Sequence, residues 1–334
     1  MKFGVGQTVK RIEDNNLLIG NGKYTDDHMP GHGLAVAFLR SPFAHAQLTH
    51  LDMSAARTSQ GVHLTASQAE MDADNVGEIH CQQYVENRDG SQIPRTTKPA
   101  MARDIIRHAG DIVAMVVADT RQQALDAIEL IDVDYVPMDA VCDVYDAVAQ
   151  DAPQLYECYP NNTVFTWEAG TIDKARSAID AALTEGARLV EVDVINSRVM
   201  PNAMETRPMV AQPFADIGGL RIWCGTQGPV GLSAQIATAL DLDTDQIQLL
   251  TGDVGGGIGY KIFLHPEQLC IAWAAKTIGK TVRWQQDRSD SYLSDLHGRD
   301  NRTKARAAVD KRGKLLALDV LVHANMGAWL SNFS

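Results

Sequence analysis

Apolar positions along this chain follow two different periods, and the alternation between them predicts its elements. Leu34-Ala-Val-Ala-Phe-Leu39 is a continuous apolar run, and so is the stretch from Ile112 to Ala118 after Asp111; each predicts a buried strand. Thr120 then stands as the N-cap of a helix running to about Leu130. Its Ala124, Ala127, Ile128 and Ile131 recur at helical spacing. Val133 and Tyr135 begin a further strand, halted before Pro137. This β-α-β stretch closes a first region near residue 145. Residues 1–32 read as an irregular arm, with turns at Tyr24-Thr-Asp-Asp27 and Pro30-Gly31. Between about 71 and 104 the sequence is polar and aperiodic, which predicts a long surface loop.

Pro153, Pro160 and Asn161-Asn162 mark 146–168 as a connection. The second region, 169–334, opens with a helix from Ile172 to about Leu183. Strands follow over 188–195, 208–214 and 220–225. A helix begins with Pro229 and carries Leu232, Ile236 and Leu240 at four-residue spacing. Another begins with Pro266 and stops at Gly279, with Leu269, Ala272 and Trp273 facing inward. The strands predicted at 281–286, 302–309 and 314–324 are separated by turns at Arg288-Ser and Lys311-Arg-Gly313. Runs of strands interrupted by helices, without a regular βαβ succession, give a mixed α+β class. With 334 residues the chain has length for two domains, each with its own core.

Composition narrows the chemistry. A formal charge of −12 weighs against nucleic acid, and the one basic stretch, 299–314, alternates Arg and Lys with Ala305, Ala307 and Val309 as a half-exposed strand would. The five cysteines have no close pair, which excludes a Cys-x-x-Cys zinc or iron–sulfur site from this chain. With no apolar leader and no membrane-length apolar run, the cytoplasm is the expected compartment. His28 and His32 have i, i+4 spacing, but Pro30 and Gly31 between them make a metal site there improbable.

The chemistry concentrates in Thr251-Gly-Asp-Val-Gly-Gly-Gly-Ile-Gly-Tyr-Lys261, after the predicted strand Ile247-Gln-Leu-Leu250. Glycines at 255, 256, 257 and 259 expose main-chain N–H groups and let a bulky anionic ligand approach the backbone. A Walker loop requires Lys-Ser/Thr directly after its last glycine, and a dinucleotide fingerprint requires glycine three positions after Gly257. Tyr260 occupies both positions, so another ligand is indicated.

Three motifs stand in order: Met200-Pro-Asn-Ala-Met-Glu-Thr-Arg-Pro208, Gly225-Thr-Gln-Gly-Pro229 and Gly252-Asp-Val-Gly-Gly-Gly-Ile-Gly259. With Arg11-Ile-Glu-Asp, Gly22-Lys-Tyr-Thr-Asp-Asp27, Arg40-Ser-Pro-Phe-Ala-His-Ala46, Arg283-Trp-Gln-Gln-Asp-Arg288 and Asn325-Met-Gly-Ala-Trp-Leu330, they resemble the molybdopterin-binding large subunit of the xanthine dehydrogenase, aldehyde oxidase and carbon monoxide dehydrogenase family. The resemblance covers essentially the whole chain. It implies an arm and hammerhead-type domain over 1–145, the connection 146–168, and a first molybdopterin-binding domain over 169–334.

In such a family the reaction inserts water-derived oxygen into a C–H bond, or oxidises carbon monoxide, at a molybdenum centre. The resemblance implies molybdopterin, alone or as a cytosine dinucleotide, held by Gln227, Gly256, Gly257, Ile258 and Gly259, with no direct side-chain ligand to the metal. Gln227 matches a glutamine whose amide donates to a ligand of the metal; read alone, it would as readily cap the helix at Pro229. Glu205 and Arg299 match positions near the cofactor cavity or substrate channel, and each suits a plain ion pair equally. Ile258 replaces an aromatic residue, and Ile262 replaces an acidic one found in purine-oxidising relatives; both weigh against a purine. No catalytic residue is expected in this chain, because the family's general base lies beyond Ser334. A second polypeptide completing the large subunit, an iron–sulfur (2Fe-2S) subunit and an FAD subunit are the expected partners. The alternatives are a truncated, non-catalytic docking remnant and a glycine-loop nucleotide-binding module.

Overall fold

The computed structural model describes residues 4–6, 8–28, 33–82 and 85–330. Its centre is a seven-stranded sheet in the order Ile247–Leu250, Gly219–Cys224, Met209–Phe214, Val282–Trp284, Leu34–Arg40, Ile112–Ala118, Val62–Ala66. The apolar runs predicted as buried strands lie inside it, and every residue of Ile112–Ala118 is buried. Leu34–Arg40 pairs antiparallel with Ile112–Ala118 on one side and parallel with Val282–Trp284 on the other. Strands from both sequence regions therefore share one sheet. The core follows the sheet: Leu34, Met115 and Val117 belong to the same buried cluster as Met209, Ile222, Leu269 and Trp284. Phe38 meets Trp284 edge-on at 5.4 Å. The largest core spans both regions, because the helix Pro266–Ile278, mostly buried, packs against strands of both, while smaller clusters lie within one region each.

Thr120 caps the helix Arg121–Ile128 as expected, its hydroxyl accepting from the Gln123 N–H at 3.2 Å. The strands flanking that helix nevertheless belong to different sheets. Asp132–Pro137 pairs with Ala46–Asp52, which also carries Ile105–Ile106, in a separate three-stranded sheet. A third sheet, also three-stranded, joins Arg188–Asn196, Asn301–Val309 and Leu315–Ala324, with Ile172–Thr184 packed on one face.

Two local expectations are corrected. The segment 71–104 is a surface loop only in part: most of 86–95 is exposed, but Met71 and Met101 are fully buried and Ile79 nearly so. Ser67 starts a short helix, Gln68–Ala73, through a capping box, and Gln68 Oε1 accepts the Met101 N–H at 2.8 Å. Single apolar residues at irregular spacing carry no periodic signal, so the inward path was invisible. The turn at Arg288-Ser is a helix, Arg288–Ser294. Its sequence is mostly polar, and it is held by Arg207 on Ser294, by Gln286 on Asp295 and by a local Ser291–Asp295 bond. Pro30, Gly31 and His32 lie outside the described residues. No helix among the described residues is long and apolar enough to cross a membrane.

Candidate functional site

The three motifs converge at one end of the seven-stranded sheet. Strand Gly219–Cys224 delivers Gly225-Thr-Gln-Gly, and its parallel neighbour Ile247–Leu250 delivers the glycine loop beside it. Each glycine has a steric reason. A Cβ on Gly255 would overlap the Glu205 side chain, and one on Gly257 would overlap the Gln227 amide. Gly256 and Gly259 adopt φ of +109° and +88°, a region that suits glycine. Ile258 between them is also left-handed, at φ +48°, which is strained for a β-branched residue; the residue is 63% exposed.

One buried cation ties the motifs together. Lys261, fully buried, donates to the Glu205 carbonyl oxygen at 2.8 Å and to Glu205 Oε2 at 2.9 Å. Burial pushes its pKa down, and Glu205 pulls it back up. Glu205 Oε2 also accepts the Gly255 N–H at 2.9 Å, while the Glu205 N–H donates to the Gly255 carbonyl at 3.0 Å. At its other end, the Lys261 carbonyl accepts the Thr226 hydroxyl at 2.8 Å and the Gln227 N–H at 3.2 Å. The N-terminal arm straps the loop from outside, the Lys23 N–H donating to Asp253 Oδ2 at 2.7 Å.

Behind this clamp lies a network that fixes the Glu205 segment. Arg288 donates to Asn202 Oδ1 and to the carbonyls of Ala203 and Met204. Buried Arg207 bonds Asp295 at 2.6 Å and Glu267 at 3.1 Å, and Arg40 reaches the other Glu267 oxygen at 2.9 Å. Burial works against the Glu267 charge, but Arg207 and Arg40 hold its carboxyl well below the usual range.

Gln227 is exposed, and its Oε1 accepts the Gly259 N–H at 2.9 Å. That bond leaves the amide NH2 as the donor for a ligand, and it occupies the Gly259 N–H. Gln227 does not cap the Pro229 helix: Gly228 is the N-cap residue, and the Thr226 hydroxyl accepts the Gly228 N–H at 3.2 Å. Glu205 stands beside the loop with its carboxylate engaged by Lys261 and Gly255. Arg299 is exposed in a left-handed turn at φ +68° before strand Asn301–Val309, and among the described residues it shares no bond with the loop. Lys261, Arg207 and Arg288 were missed as site-building residues. The available signal was a glycine loop ending in lysine together with a glutamate in the preceding motif.

The cradle suits an anionic, oxygen-rich ligand. No atom lies within 4 Å of where a Cβ on Gly259 would stand, so the backbone is open to close approach there. The Lys261 charge is neutralised by Glu205, the Asp253 carboxylate accepts a main-chain N–H, and the Gln227 amide NH2 remains as a neutral donor.

Residues 155–334 match the molybdopterin cofactor-binding domain, and residues 19–139 match the a/b hammerhead domain of aldehyde oxidase and xanthine dehydrogenase. The chain belongs to the molybdopterin-binding family of the xanthine dehydrogenase type. It is 29% identical to the nicotine 6-hydroxylase large subunit of Paenarthrobacter nicotinovorans, over 97% of this chain and 38% of that one. It is 30% identical to the carbon monoxide dehydrogenase large chain of Afipia carboxidovorans, over 98% of this chain and 40% of that one. The quinoline 2-oxidoreductase of Pseudomonas putida 86 superposes with a TM-score of 0.82 at 32% identity, over 96% of this chain and 39% of that one. The chain thus spans about 40% of the length of these relatives.

Proposed function

We propose that this chain supplies one wall of the cofactor pocket of a molybdenum hydroxylase acting on a small substrate: an aldehyde, an N-heterocycle or carbon monoxide. The observation that carries the reading is the Gln227 Oε1 bond to the Gly259 N–H, which sets the amide NH2 beside an open glycine loop. Molybdopterin with molybdenum, alone or as a cytosine dinucleotide, fits this cradle. When bound, it supplies a redox-active centre that takes oxygen from water and passes electrons to carriers.

The chain's own groups bind and orient. Gln227 would hold the cofactor through its amide NH2 without adding charge, and the main chain of 256–259 would line the same cradle. Ile258 gives the substrate side an aliphatic wall. Lys261 and Glu205 are engaged with each other and hold the loop in register, so neither serves as a free base. The general base and the second cofactor domain would come from the rest of a large subunit, of whose length this chain covers about 40%. The 2Fe-2S and FAD carriers reside on partner subunits, and the complex works in the cytoplasm. Expression with a molybdopterin-synthesising host and the partner subunits, followed by metal and pterin analysis, tests the reading. Stoichiometric molybdenum that falls at least tenfold in Gln227→Leu is expected; a complete complex without molybdenum or pterin overturns it.

A further inference from the structure

The sheet of Arg188–Asn196, Asn301–Val309 and Leu315–Ala324 has two unlike faces. One is covered: helix Ile172–Thr184 sets Ile179 and Ala182 against Leu189, Ala308 and Ala317. The Tyr145 ring lies over Arg302 on the same face, 4.6 Å from its guanidinium. Except for Arg188 at its outer end, the sheet's charged side chains share that face, where Arg302 pairs with Asp193, Arg306 with Glu191, and Asp319 with Arg176 from the covering helix, each at 3.0 Å.

The pairing register turns Val190, Val192, Val194, Leu318, Val320 and Val322 to the other face, in rows across the middle strand. Each is 42–51% exposed. Between these two ridges the middle strand contributes only Thr303, Ala305 and Ala307, so the face is a shallow apolar trough about 10 Å from ridge to ridge. A sheet with one face in water carries its polar residues on that face. Here the arrangement is reversed, and these three rows hold no charged side chain. A contiguous bare apolar face of this kind marks an interface.

We propose that this trough is the seat of the remainder of a molybdopterin large subunit, the portion that the 40% match to the relatives leaves uncovered. The inference rests on the molybdenum-hydroxylase reading. The position argues for that occupant: the sheet lies within the molybdopterin-domain match, and Asn196 and Asn301 run through the Val199–Gly298 bridge into the segment that carries Glu205. The chemistry argues for it too. An uncharged apolar face suits a permanent partner better than a transient, charge-steered one.

The probe is the sequence from the same genome that matches the relatives' uncovered portion, produced as a separate polypeptide and combined with this chain. A one-to-one complex is expected by light scattering, with amide exchange slowed in Arg188–Asn196 and Leu315–Ala324. Val192→Asp and Val320→Asp should each weaken it at least 100-fold, while Leu130→Asp on the hammerhead side leaves it unchanged. If either aspartate variant fails to fold, the exchange footprint on the unaltered chain decides. The proposal is overturned by absence of a complex, by a complex whose footprint avoids this face, or by a dimer of this chain that the aspartate variants dissociate. Molybdenum and pterin are assayed in the same complex. A loaded complex indifferent to the face variants sinks the docking inference alone, whereas a face-dependent complex lacking both sinks the molybdenum reading alone.

Discussion

Lys261 shows how much a single buried side chain can hold. It is fully buried, and its ammonium is matched by one carboxylate and one carbonyl. Lys261→Met should strand the Glu205 carboxylate and destabilise the fold by about 3–5 kcal/mol, measured by urea unfolding. Adding Glu205→Gln should restore more than about 1 kcal/mol of that loss; an additive double variant would refute the coupling. Gly257→Ala tests the loop differently. Its Cβ would displace the Gln227 amide, so bound molybdenum and pterin should fall severalfold, with a stability cost of only about 1–3 kcal/mol. The glycines and Gln227 were legible because their spacing is local. The burial of Lys261 was not, since lysine is ordinarily a surface residue and only the fold brings Glu205 to it.

Among the elements, the helix Pro266–Ile278 was the most legible, with proline in its first turn and Gly279 in a left-handed stop. Its entry has a consequence for pH. His265 is buried as the neutral imidazole, its ring bonded to the Tyr260 carbonyl at 2.9 Å, and burial together with nearby Arg207 lowers its pKa to about 3. The unfolded chain takes up the proton first. This contribution to stability is therefore complete above the ordinary value of 6.5 and is lost as pH falls from there toward about 3. Urea midpoints at pH 7 and 4.5 should show the drop, and His265→Gln should flatten it. The helix Arg288–Ser294 lies at the opposite extreme. Its stability comes from Gln286 just before it and from Arg207, which is distant in sequence, so no periodic apolar pattern announced it.

For the molecule as a whole, strand order was the least legible level. Apolar runs identify strands but not their neighbours, and the pairing of Leu34–Arg40 with Val282–Trp284 joins segments that no short-range rule connects. The shared core predicts that residues 1–145 produced alone will not fold cooperatively: Met115 and Val117 lose Met209, Leu269 and Trp284. A sharp thermal transition or a dispersed amide spectrum for that fragment would refute it. The same strand pairing also sets a timetable. At roughly 5–20 residues per second, a ribosome needs on the order of tens of seconds to make the roughly 250 residues separating the two strands. Throughout that interval the apolar edge of Leu34–Arg40 is without its partner, so the nascent chain carries its aggregation risk early and relieves it late. Productive synthesis should therefore depend on a chaperone that shields this strand until Val282–Trp284 emerges.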